Sequence, residues 1–279
     1  MAEAAGFDIE VMIGPVLDAG ARTLAYRDAG VATEIKADES PVTAADRAAE
    51  AILLAALARL APGIPVVAEE EASAGRVPEV DARFFLVDPL DGTREYVRGG
   101  DDFTVNVALV ERGAPIAGIV YAPARGRLWC GDVARGVAWR AHLHDGVLGE
   151  RVALKVRSCR GVPVAVASKS HCTPATEAWL KASGCAERVS VGSSLKFALI
   201  AGGEADVYPR PGPTMEWDTA AGDAVLRAAG GHTLCLDGHP LTYAKPRFFN
   251  PGFVASGGHP SLPLRPFLTA DTRPTDESE

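Results

Sequence analysis

The residues of this chain best suited to chemistry lie in the segment Asp88-Pro89-Leu90-Asp91-Gly92-Thr93. Four apolar residues, 84–87, precede this segment and predict a short buried strand that ends at Asp88. A turn is expected next, because Pro89 has no N–H and Gly92 tolerates backbone angles that other residues avoid. Two carboxylates on either side of this turn can point at one spot. Such oxygen ligands suit a hard cation such as Mg²⁺, although Asp-Pro and Asp-Gly are also ordinary turn formers.

Further acidic residues follow a predicted strand or begin a predicted helix. The strand predicted at residues 65–68 runs into Glu69-Glu70-Glu71, whose carboxylates repel one another unless water or a cation screens them. Asp46 stands three residues after Thr43 and approximates a capping box, so a helix-start role competes with a chemical one. Asp218 begins another predicted helix, where an ordinary cap is the alternative.

Small and hydroxylated residues open one helix of the second half. The segment Gly192-Ser193-Ser194-Leu195-Lys196 places free N–H groups at a helix start, where an anion can bind. Plain capping by Ser193 or Ser194 is the alternative interpretation.

The composition of the chain limits the classes of function. Its 279 residues are 47% hydrophobic, enough for one large domain or two ordinary ones, and no apolar run reaches bilayer length. A net charge of −8 argues against a nucleic-acid polymer as partner, since such binding needs a basic surface. The five cysteines form no Cys-x-x-Cys pair, and the start of the chain lacks the features of a secretory signal. A cytoplasmic protein with reduced thiols and no transmembrane segment is therefore expected.

Hydrophobic periodicity predicts a mixed architecture. Residues 8–29 predict a helix that ends at Gly30, and a second helix is predicted from Thr43 to Pro62. Strands predicted after the opening segment, including a hairpin through Arg112-Gly113, give the first half an α+β layout with a largely antiparallel sheet. Strands and helices alternate in the second half, which predicts an α/β layer. The predicted strands lie at 103–110, 115–121, 127–130, 136–139, 163–168, 188–191 and 205–208, and the predicted helices of the second half at 174–183, 194–202 and 218–229.

A polar, glycine-bearing stretch at 141–151 marks the expected boundary between two domains. The prediction is an N-terminal α+β domain at 1–145 that carries most of the candidate metal ligands. An α/β domain at 146–268 is expected to carry substrate-recognition elements. The charged residues 269–279 are predicted to form a frayed tail.

The candidate residues also occur in the order of a known family signature. The chain carries, in sequence, Asp46, Glu69-Glu70, the segment 88–93, Trp217-Asp218 and Gly230-Gly231. In this it resembles the metal-dependent, lithium-sensitive phosphomonoesterases, the superfamily that includes inositol monophosphatase, fructose-1,6-bisphosphatase and the 3′(2′),5′-bisphosphate nucleotidases. The fold that this resemblance implies is a layered αβαβα sandwich of the inositol monophosphatase and sugar phosphatase type.

Several longer segments resemble one branch of that superfamily, the bacterial CysQ-type bisphosphate nucleotidases. The likeness covers nearly the whole length and is weakest at 140–160. The segments that carry it are residues 36–46, 88–96, 103–106, 192–197, 208–214, 217–222 and 249–253.

The resemblance implies a metal-dependent reaction. It assigns the binding of two or three Mg²⁺ ions to Glu69, Asp88, Asp91, Asp218 and the main-chain carbonyl of Leu90, with Li⁺ as an inhibitor. Thr93 and Asp46 are implied as the pair that orients and activates the attacking water. Glu70 is expected either to assist as an outer acid or to hold a further metal.

The resemblance also implies a substrate-binding set. Lys196 and Arg210 could pair with a second phosphate and Tyr208 could pack on a base, but two surface charges and a core tyrosine are the alternative interpretation. The whole set comprises Glu69, Leu90, Asp91, Gly92, Thr93, Ser194, Lys196, Tyr208, Arg210 and Asp218.

The implied substrate is small and phosphorylated: adenosine 3′,5′-bisphosphate, a by-product of sulfate assimilation, hydrolysed to AMP and phosphate. An inositol or sugar-phosphate phosphatase is the alternative, and a non-catalytic protein that binds a phosphorylated ligand is a more remote one. A homodimer is kept as a candidate assembly, and peripheral contact with the inner face of the membrane as a variant of the cytoplasmic location.

Overall fold

The structure is a computed structural model that describes residues 7–30, 33–35, 41–159, 161–167 and 173–268. At 33–35, 41 and 42 only the backbone is described. The expected tail and part of the segment that resembles the nucleotidases, residues 36–40, lie outside the described residues.

Seven α-helices and seventeen strands make up the described fold. The helices are α1 (Ile13–Ala29), α2 (Ala44–Leu60), α3 (Glu69–Ser73), α4 (Thr93–Val97), α5 (Pro174–Ala182), α6 (Leu195–Ala201) and α7 (Ala220–Ala228). The first ten strands are β1 (Thr33–Ile35), β2 (Pro41–Thr43), β3 (Val66–Ala68), β4 (Arg83–Asp91), β5 (Thr104–Glu111), β6 (Ala114–Ala122), β7 (Arg127–Asp132), β8 (Val137–His144), β9 (Val147–Leu148) and β10 (Val152–Ala153). The others are β11 (Val164–Ala167), β12 (Glu187–Ser190), β13 (Val207–Arg210), β14 (Thr214–Met215), β15 (His232–Cys235), β16 (Phe249–Asn250) and β17 (Phe253–Ser256). Short 3₁₀ turns lie at Ile9–Met12, Pro123–Arg125, Pro246–Phe248 and Arg265–Phe267.

The two N-terminal helices begin and end at the residues that the sequence indicates. Helix α1 ends at Gly30, whose φ of 70° is the left-handed conformation in which glycine meets no steric penalty. Helix α2 begins with a capping box in which Asp46 Oδ2 accepts the Thr43 N–H at 2.8 Å. Both predicted helices are confirmed.

The first large sheet has the order β10-β8-β7-β6-β5-β4-β3, and β9 pairs with β8. Only the β3–β4 pairing is parallel, so the predicted antiparallel layout is confirmed. The predicted hairpin turn is also present, with φ of 50° at Arg112 and 77° at Gly113. The sheet includes β9 and β10, which lie after residue 145, and the division into two domains stays a prediction.

Strand β4 departs from the expectation in a way that matters for the acidic residues. The prediction that it ends at Asp88 is wrong, because β4 continues to Asp91. Asp88 pairs with Asn106 and Asp91 with Thr104, so three steps on β4 oppose two on β5, the mark of a β-bulge. The bulge leaves a residue unpaired, and a strand can therefore accommodate a proline there. The bulge also changes the alternation of side chains along β4. Asp88 and Asp91, which are three residues apart, can therefore lie on the same face of the sheet.

The second sheet has the order β12-β11-β13-β17-β15. Strands β12, β11 and β13 are parallel, as the predicted strand–helix alternation requires, whereas β17 and β15 are antiparallel to their neighbours. Two small two-stranded sheets, β1-β2 and β14-β16, complete the pairings.

Five layers result, and they place the acidic residues of both halves near each other. Helices α1 and α2 cover one face of the first sheet, and α6 and α7 fill the space between the sheets. Helix α7 lies so close to the first sheet that a Cβ on Gly131 would be 2.6 Å from Val225 Cα. Helix α5 covers the outer face of the second sheet. The predicted αβαβα sandwich is confirmed. None of the helices in the described ranges is long and apolar enough to cross a bilayer.

Candidate active site

A cleft of about 270 Å³ lies where the bulged end of β4 faces the starts of α6 and α7. Strand β4 and helix α4 supply its first wall, and the segments before α6 and α7 supply much of the second. Seven residues predicted for metal or phosphate binding line the cleft: Glu69, Asp91, Gly92, Thr93, Lys196, Arg210 and Asp218. The fold thus brings residues that are far apart in the sequence to one cavity.

Three aspartates and one glutamate form an electrostatically strained cluster beside this cleft. Burial raises the pKa of Asp88 well above its usual value, and the charges of Glu69 and Asp91 raise it further. The pKa of Asp218 is raised well above its usual value by burial first, and then by Asp91 and Glu69. Burial also raises the pKa of Asp91, although Lys196 and the Ser194 N–H oppose the shift. Repulsion of this kind is relieved when a cation binds.

Main-chain N–H groups orient the three aspartates. Asp88 Oδ1 accepts the Leu90 N–H at 3.0 Å, Asp91 Oδ2 accepts the Ser194 N–H at 2.7 Å, and Asp218 Oδ2 accepts the Met215 N–H at 2.9 Å. These bonds, two of them local and one between the two halves of the chain, hold the carboxylates in fixed directions. They also partly compensate the cost of placing charge in the protein interior.

The donor set fits a hard divalent cation in its chemistry. No group of three or more His, Cys, Asp or Glu side chains in the described part of the chain is arranged as a complete metal site. The cluster nevertheless offers only oxygen donors, and it concentrates negative charge where burial disfavours it. The Leu90 carbonyl oxygen, the predicted main-chain donor, accepts the Thr93 hydroxyl at 3.1 Å.

Thr93 and Asp46 come together although 47 positions separate them. The Thr93 hydroxyl lies 3.4 Å from Asp46 Oδ1, while Asp46 Oδ2 accepts the Thr43 hydroxyl at 2.6 Å. Asp46 therefore caps α2 and contacts Thr93 at the same time. The helix-start interpretation and the chemical interpretation of this residue are compatible.

Gly92 has no room for a side chain. Its φ is 95°, and a Cβ would lie 2.8 Å from the Asp102 carbonyl oxygen and 3.3 Å from Phe103 Cα. The turn into α4, which begins at Thr93, depends on this glycine.

Replacing Gly92 by Ala is expected to destabilise the fold and to displace Thr93. Left-handed strain alone costs about 1–3 kcal/mol, and the backbone contacts of the new Cβ add to it. A displacement of about 1 Å at Thr93 would lower turnover by about 100-fold. Thermal unfolding and steady-state kinetics measure both effects. Gly99→Ala is the matched control, because Gly99 has a φ of 74° and nothing within 4 Å of its would-be Cβ. Equal losses of stability and activity in the two variants would contradict the steric argument.

Glu70, the predicted outer acid, is not among the described residues that line the cleft. Its N–H donates to Glu50 Oε2 at 2.8 Å, and the Glu71 N–H donates to Glu50 Oε1 at 3.0 Å. Glu50 is 3% exposed, and burial raises its pKa to about 7. This carboxylate holds the start of α3, next to Glu69. Glu50 was not among the residues predicted for the site, although its position one helical turn after Asp46 is a signal that the sequence contains.

Lys196, Tyr208 and Arg210 also line the cleft. The Lys196 ammonium lies 5.3 Å from the Tyr208 ring centroid, and burial lowers its pKa to about 8. Tyr208 also packs edge-on against Phe197 and Phe253, as a core residue does. The Arg210 guanidinium donates to the carbonyl oxygens of its own loop, at residues 212 and 213.

Ser194, also predicted to contact substrate, is 1% exposed and does not line the cleft. Its hydroxyl donates to the Asp218 carbonyl oxygen at 2.8 Å. Ser194 thus contacts two members of the acidic cluster, Asp91 through its N–H and Asp218 through its hydroxyl. Whether it also contacts substrate stays a prediction.

The sequence of nearly the whole chain matches one known protein family. The profile described as the inositol monophosphatase family covers residues 7–258. The chain belongs to this family. The resemblance found in the sequence motifs is confirmed.

Individual members of the inositol monophosphatase family are similar to this chain in sequence and in structure. The 3′(2′),5′-bisphosphate nucleotidase CysQ of Shigella flexneri is 46% identical over 222 residues, 79% of this chain and 87% of the relative. The enzyme of the same name from Escherichia coli strain K12 is 45% identical over the same shares. Among solved structures, CysQ from Bacteroides thetaiotaomicron has 34% identity and a TM-score of 0.74, over 90% of this chain and 97% of that one. Inositol monophosphatase from Anabaena has 26% identity and a TM-score of 0.70, over 93% and 92% of the two chains.

Proposed function

We propose that this chain is a Mg²⁺-dependent phosphomonoesterase that hydrolyses adenosine 3′,5′-bisphosphate to AMP and phosphate. The observation that carries the proposal is the 46% identity to a 3′(2′),5′-bisphosphate nucleotidase over 79% of the chain. The cleft agrees with it chemically, because half-buried carboxylates and two cationic side chains line it. A metal-dependent phosphatase needs the carboxylates to bind the metal, and a substrate with a second phosphate can pair with the cationic side chains.

The acidic cluster is proposed to hold the metal. Glu69, Asp88, Asp91, Asp218 and the Leu90 carbonyl oxygen would bind two or three Mg²⁺ ions, which would neutralise phosphate charge and lower the pKa of the attacking water. The mutual repulsion within the cluster supports this role, since burial and neighbouring carboxylates raise the pKa values of Asp88 and Asp218 well above the usual range. Inhibition by Li⁺ belongs to the same proposal.

Thr93 and Asp46 are proposed to orient the attacking water. The Thr93 hydroxyl points its hydrogen at Asp46 Oδ1 or the Leu90 carbonyl, so its lone pairs can accept a hydrogen bond from water in the cleft. As that water loses a proton to Thr93 Oγ1, Thr93 can pass its own proton to Asp46. The 3.4 Å separation is long for a hydrogen bond, as is common before substrate binds. Glu70 is proposed to act from outside the cleft or to hold a further metal.

The cationic side chains are proposed to select the substrate. Lys196 and Arg210 would pair with the phosphate that is not cleaved, and Tyr208 would present its ring to the base. Gly92 and Thr93 at the start of α4 would receive the oxygens of the scissile phosphate. A nucleic-acid polymer is not expected, because the net charge is −8.

The second candidate is an inositol or sugar-phosphate phosphatase, and the fold similarity to an inositol monophosphatase favours it. The two candidates share the acidic cluster and differ in the rest of the substrate. Inositol 1-phosphate lacks a second phosphate, and fructose 1,6-bisphosphate lacks a base.

Phosphate release from three substrates separates the two candidates. Adenosine 3′,5′-bisphosphate, inositol 1-phosphate and fructose 1,6-bisphosphate are compared at equal Mg²⁺. The expected result is a higher kcat/KM for the nucleotide. Inositol 1-phosphate lacks the phosphate that Lys196 and Arg210 would pair with, and fructose 1,6-bisphosphate lacks the base that Tyr208 would contact. Added Li⁺ is expected to lower the rate. A preference for inositol 1-phosphate would overturn the substrate assignment, and no release from any of the three would favour a non-catalytic binding protein.

Three further features complete the proposal. We place the protein in the cytoplasm, with peripheral contact to the inner face of the membrane as a variant. The four cysteines of the described residues have free thiols, which agrees with a reducing compartment.

A homodimer and a boundary near residue 145 between two domains are also proposed. Light scattering on the purified chain measures the oligomeric state.

A further inference from the structure

Asn106 lies on β5 opposite Asp88, beneath the acidic part of the cleft. It is 1% exposed, and its side chain reaches two residues of the site. Asn106 Nδ2 lies 3.1 Å from Ser194 Oγ and 3.5 Å from Asp91 Oδ2. Asn106 thus joins a residue of the first half to one of the second.

The direction of these hydrogen bonds follows from what each partner can donate. The Ser194 hydroxyl has one hydrogen, which it donates to the Asp218 carbonyl oxygen at 2.8 Å. Ser194 Oγ can therefore only accept from Asn106, and a carboxylate oxygen of Asp91 can only accept as well. Both contacts require the nitrogen of the Asn106 amide, and its orientation is thereby fixed.

Together these bonds link acidic residues from the two halves of the chain. The Ser194 N–H donates to Asp91 Oδ2 at 2.7 Å, and its hydroxyl holds the main chain at Asp218. We propose that Asn106 is a positioning residue for the reaction, because it fixes the Ser194 hydroxyl and thereby the spacing of Asp91 and Asp218. This inference rests on the proposed role of those two aspartates in metal binding.

The other atom of the amide argues against a purely stabilising role. Asn106 Oδ1 is buried and has no hydrogen-bond partner within the described ranges. A buried acceptor left unpaired lowers the stability of a fold, and an apolar residue of similar size would avoid that cost. An asparagine at position 106 therefore does not maximise the stability of the fold. The hydrogen bond that its Nδ2 donates to Ser194 explains its presence better.

Asn106→Leu, Ser194→Ala and the double variant test this role. Isothermal titration with Mg²⁺ and thermal unfolding without metal are measured on the full chain. We expect Asn106→Leu to bind Mg²⁺ about tenfold more weakly, the lower end of typical effects for side chains that orient metal ligands. Its Tm should equal or exceed that of the parent. Ser194→Ala should also weaken binding, and the double variant should bind no more weakly than the weaker single variant, because both act through one chain of bonds.

The control and the contradicting outcomes are equally specific. Thr233→Val removes a buried hydroxyl on β15 that has no hydrogen-bond partner among the described residues. Thr233 lies outside the cleft, so this variant should leave the Mg²⁺ affinity unchanged. Three results would each overturn the proposal. They are a parent-like Mg²⁺ affinity in Asn106→Leu, losses of affinity that multiply in the double variant, and a fall of both Mg²⁺ affinity and Tm in Asn106→Leu. If Asn106→Leu does not fold, a purely structural role is indicated and the proposal fails.

Failure of the proposal for Asn106 can be distinguished from failure of the proposed function. The Mg²⁺ titration uses no substrate, so a parent that binds Mg²⁺ without hydrolysing adenosine 3′,5′-bisphosphate contradicts only the substrate assignment. A parent that binds no Mg²⁺ overturns both.

Discussion

Replacing Asp91 by Asn is expected to lower turnover by about 10³-fold while the protein stays folded. Asp91 lines the cleft beside the other acidic residues, and an amide is a much poorer Mg²⁺ ligand than a carboxylate. Losing a metal ligand removes several kcal/mol of transition-state stabilisation, and about 4 kcal/mol corresponds to a factor of about 10³ in rate. The amide oxygen can still accept the Ser194 N–H, so the local fold is preserved. Steady-state phosphate release at saturating Mg²⁺ measures the effect.

The same substitution is expected to stabilise the metal-free protein at neutral pH. Burial raises the pKa of Asp91, so its ionised form is less favourable in the folded chain than in the unfolded one. This cost is absent below the unfolded pKa and grows as the pH rises through the window between the unfolded and the raised folded pKa. Asp91→Asn removes it, and the Tm in EDTA should rise relative to the parent.

Asp132→Asn is the matched control for Asp91. Asp132 lies on β7 outside the cleft, and this variant should keep parent-like turnover. Wild-type turnover in Asp91→Asn would show that Asp91 only forms the turn. A large fall in the Tm of metal-free Asp91→Asn would contradict the electrostatic interpretation of the cluster.

Replacing Thr93 by Val is expected to lower kcat by about 10³-fold without changing Mg²⁺ affinity. Valine has the shape of threonine and cannot accept a hydrogen bond from water or pass a proton to Asp46. Positioned proton transfer typically contributes a factor of about 10²–10⁴. The acidic cluster loses no carboxylate, so metal binding measured by titration should stay at the parent level.

Thr93→Ser tests whether the hydroxyl itself is responsible. Serine keeps the donor to Asp46 and should recover most of the rate. If Val and Ser variants lose activity equally, the methyl group and not the hydroxyl matters. If Thr93→Val weakens Mg²⁺ binding as much as Asp91→Asn does, the division between a water-orienting pair and a metal site is wrong.

Local signals in the sequence were sufficient for much of this architecture. Gly30 marks the end of α1, and Thr43 with Asp46 marks the start of α2, because caps depend only on neighbouring residues. The hairpin through Arg112 and Gly113 is equally local. The ordered acidic motifs then supplied the family, which no single residue could indicate.

Features that depend on tertiary pairing could not be read in the same way. Pro89 reads as the end of a strand, but β4 runs on through a bulge whose register depends on β5. Asn106 has no local feature that reveals its contact with Ser194, 88 positions away. Ser194 reads as a cap or an anion contact, and only the packing of α6 against the first half shows that it holds two acidic residues.

The dependence of phosphate release on Mg²⁺ tests the central claim most directly. Purified protein is assayed with adenosine 3′,5′-bisphosphate, then in excess EDTA, and again after Mg²⁺ is restored. The acidic cluster predicts release of one phosphate per nucleotide with AMP as the product, loss of activity in EDTA, and recovery with Mg²⁺. Hydrolysis that continues unchanged in EDTA would contradict a metal-dependent reaction at Asp88, Asp91 and Asp218.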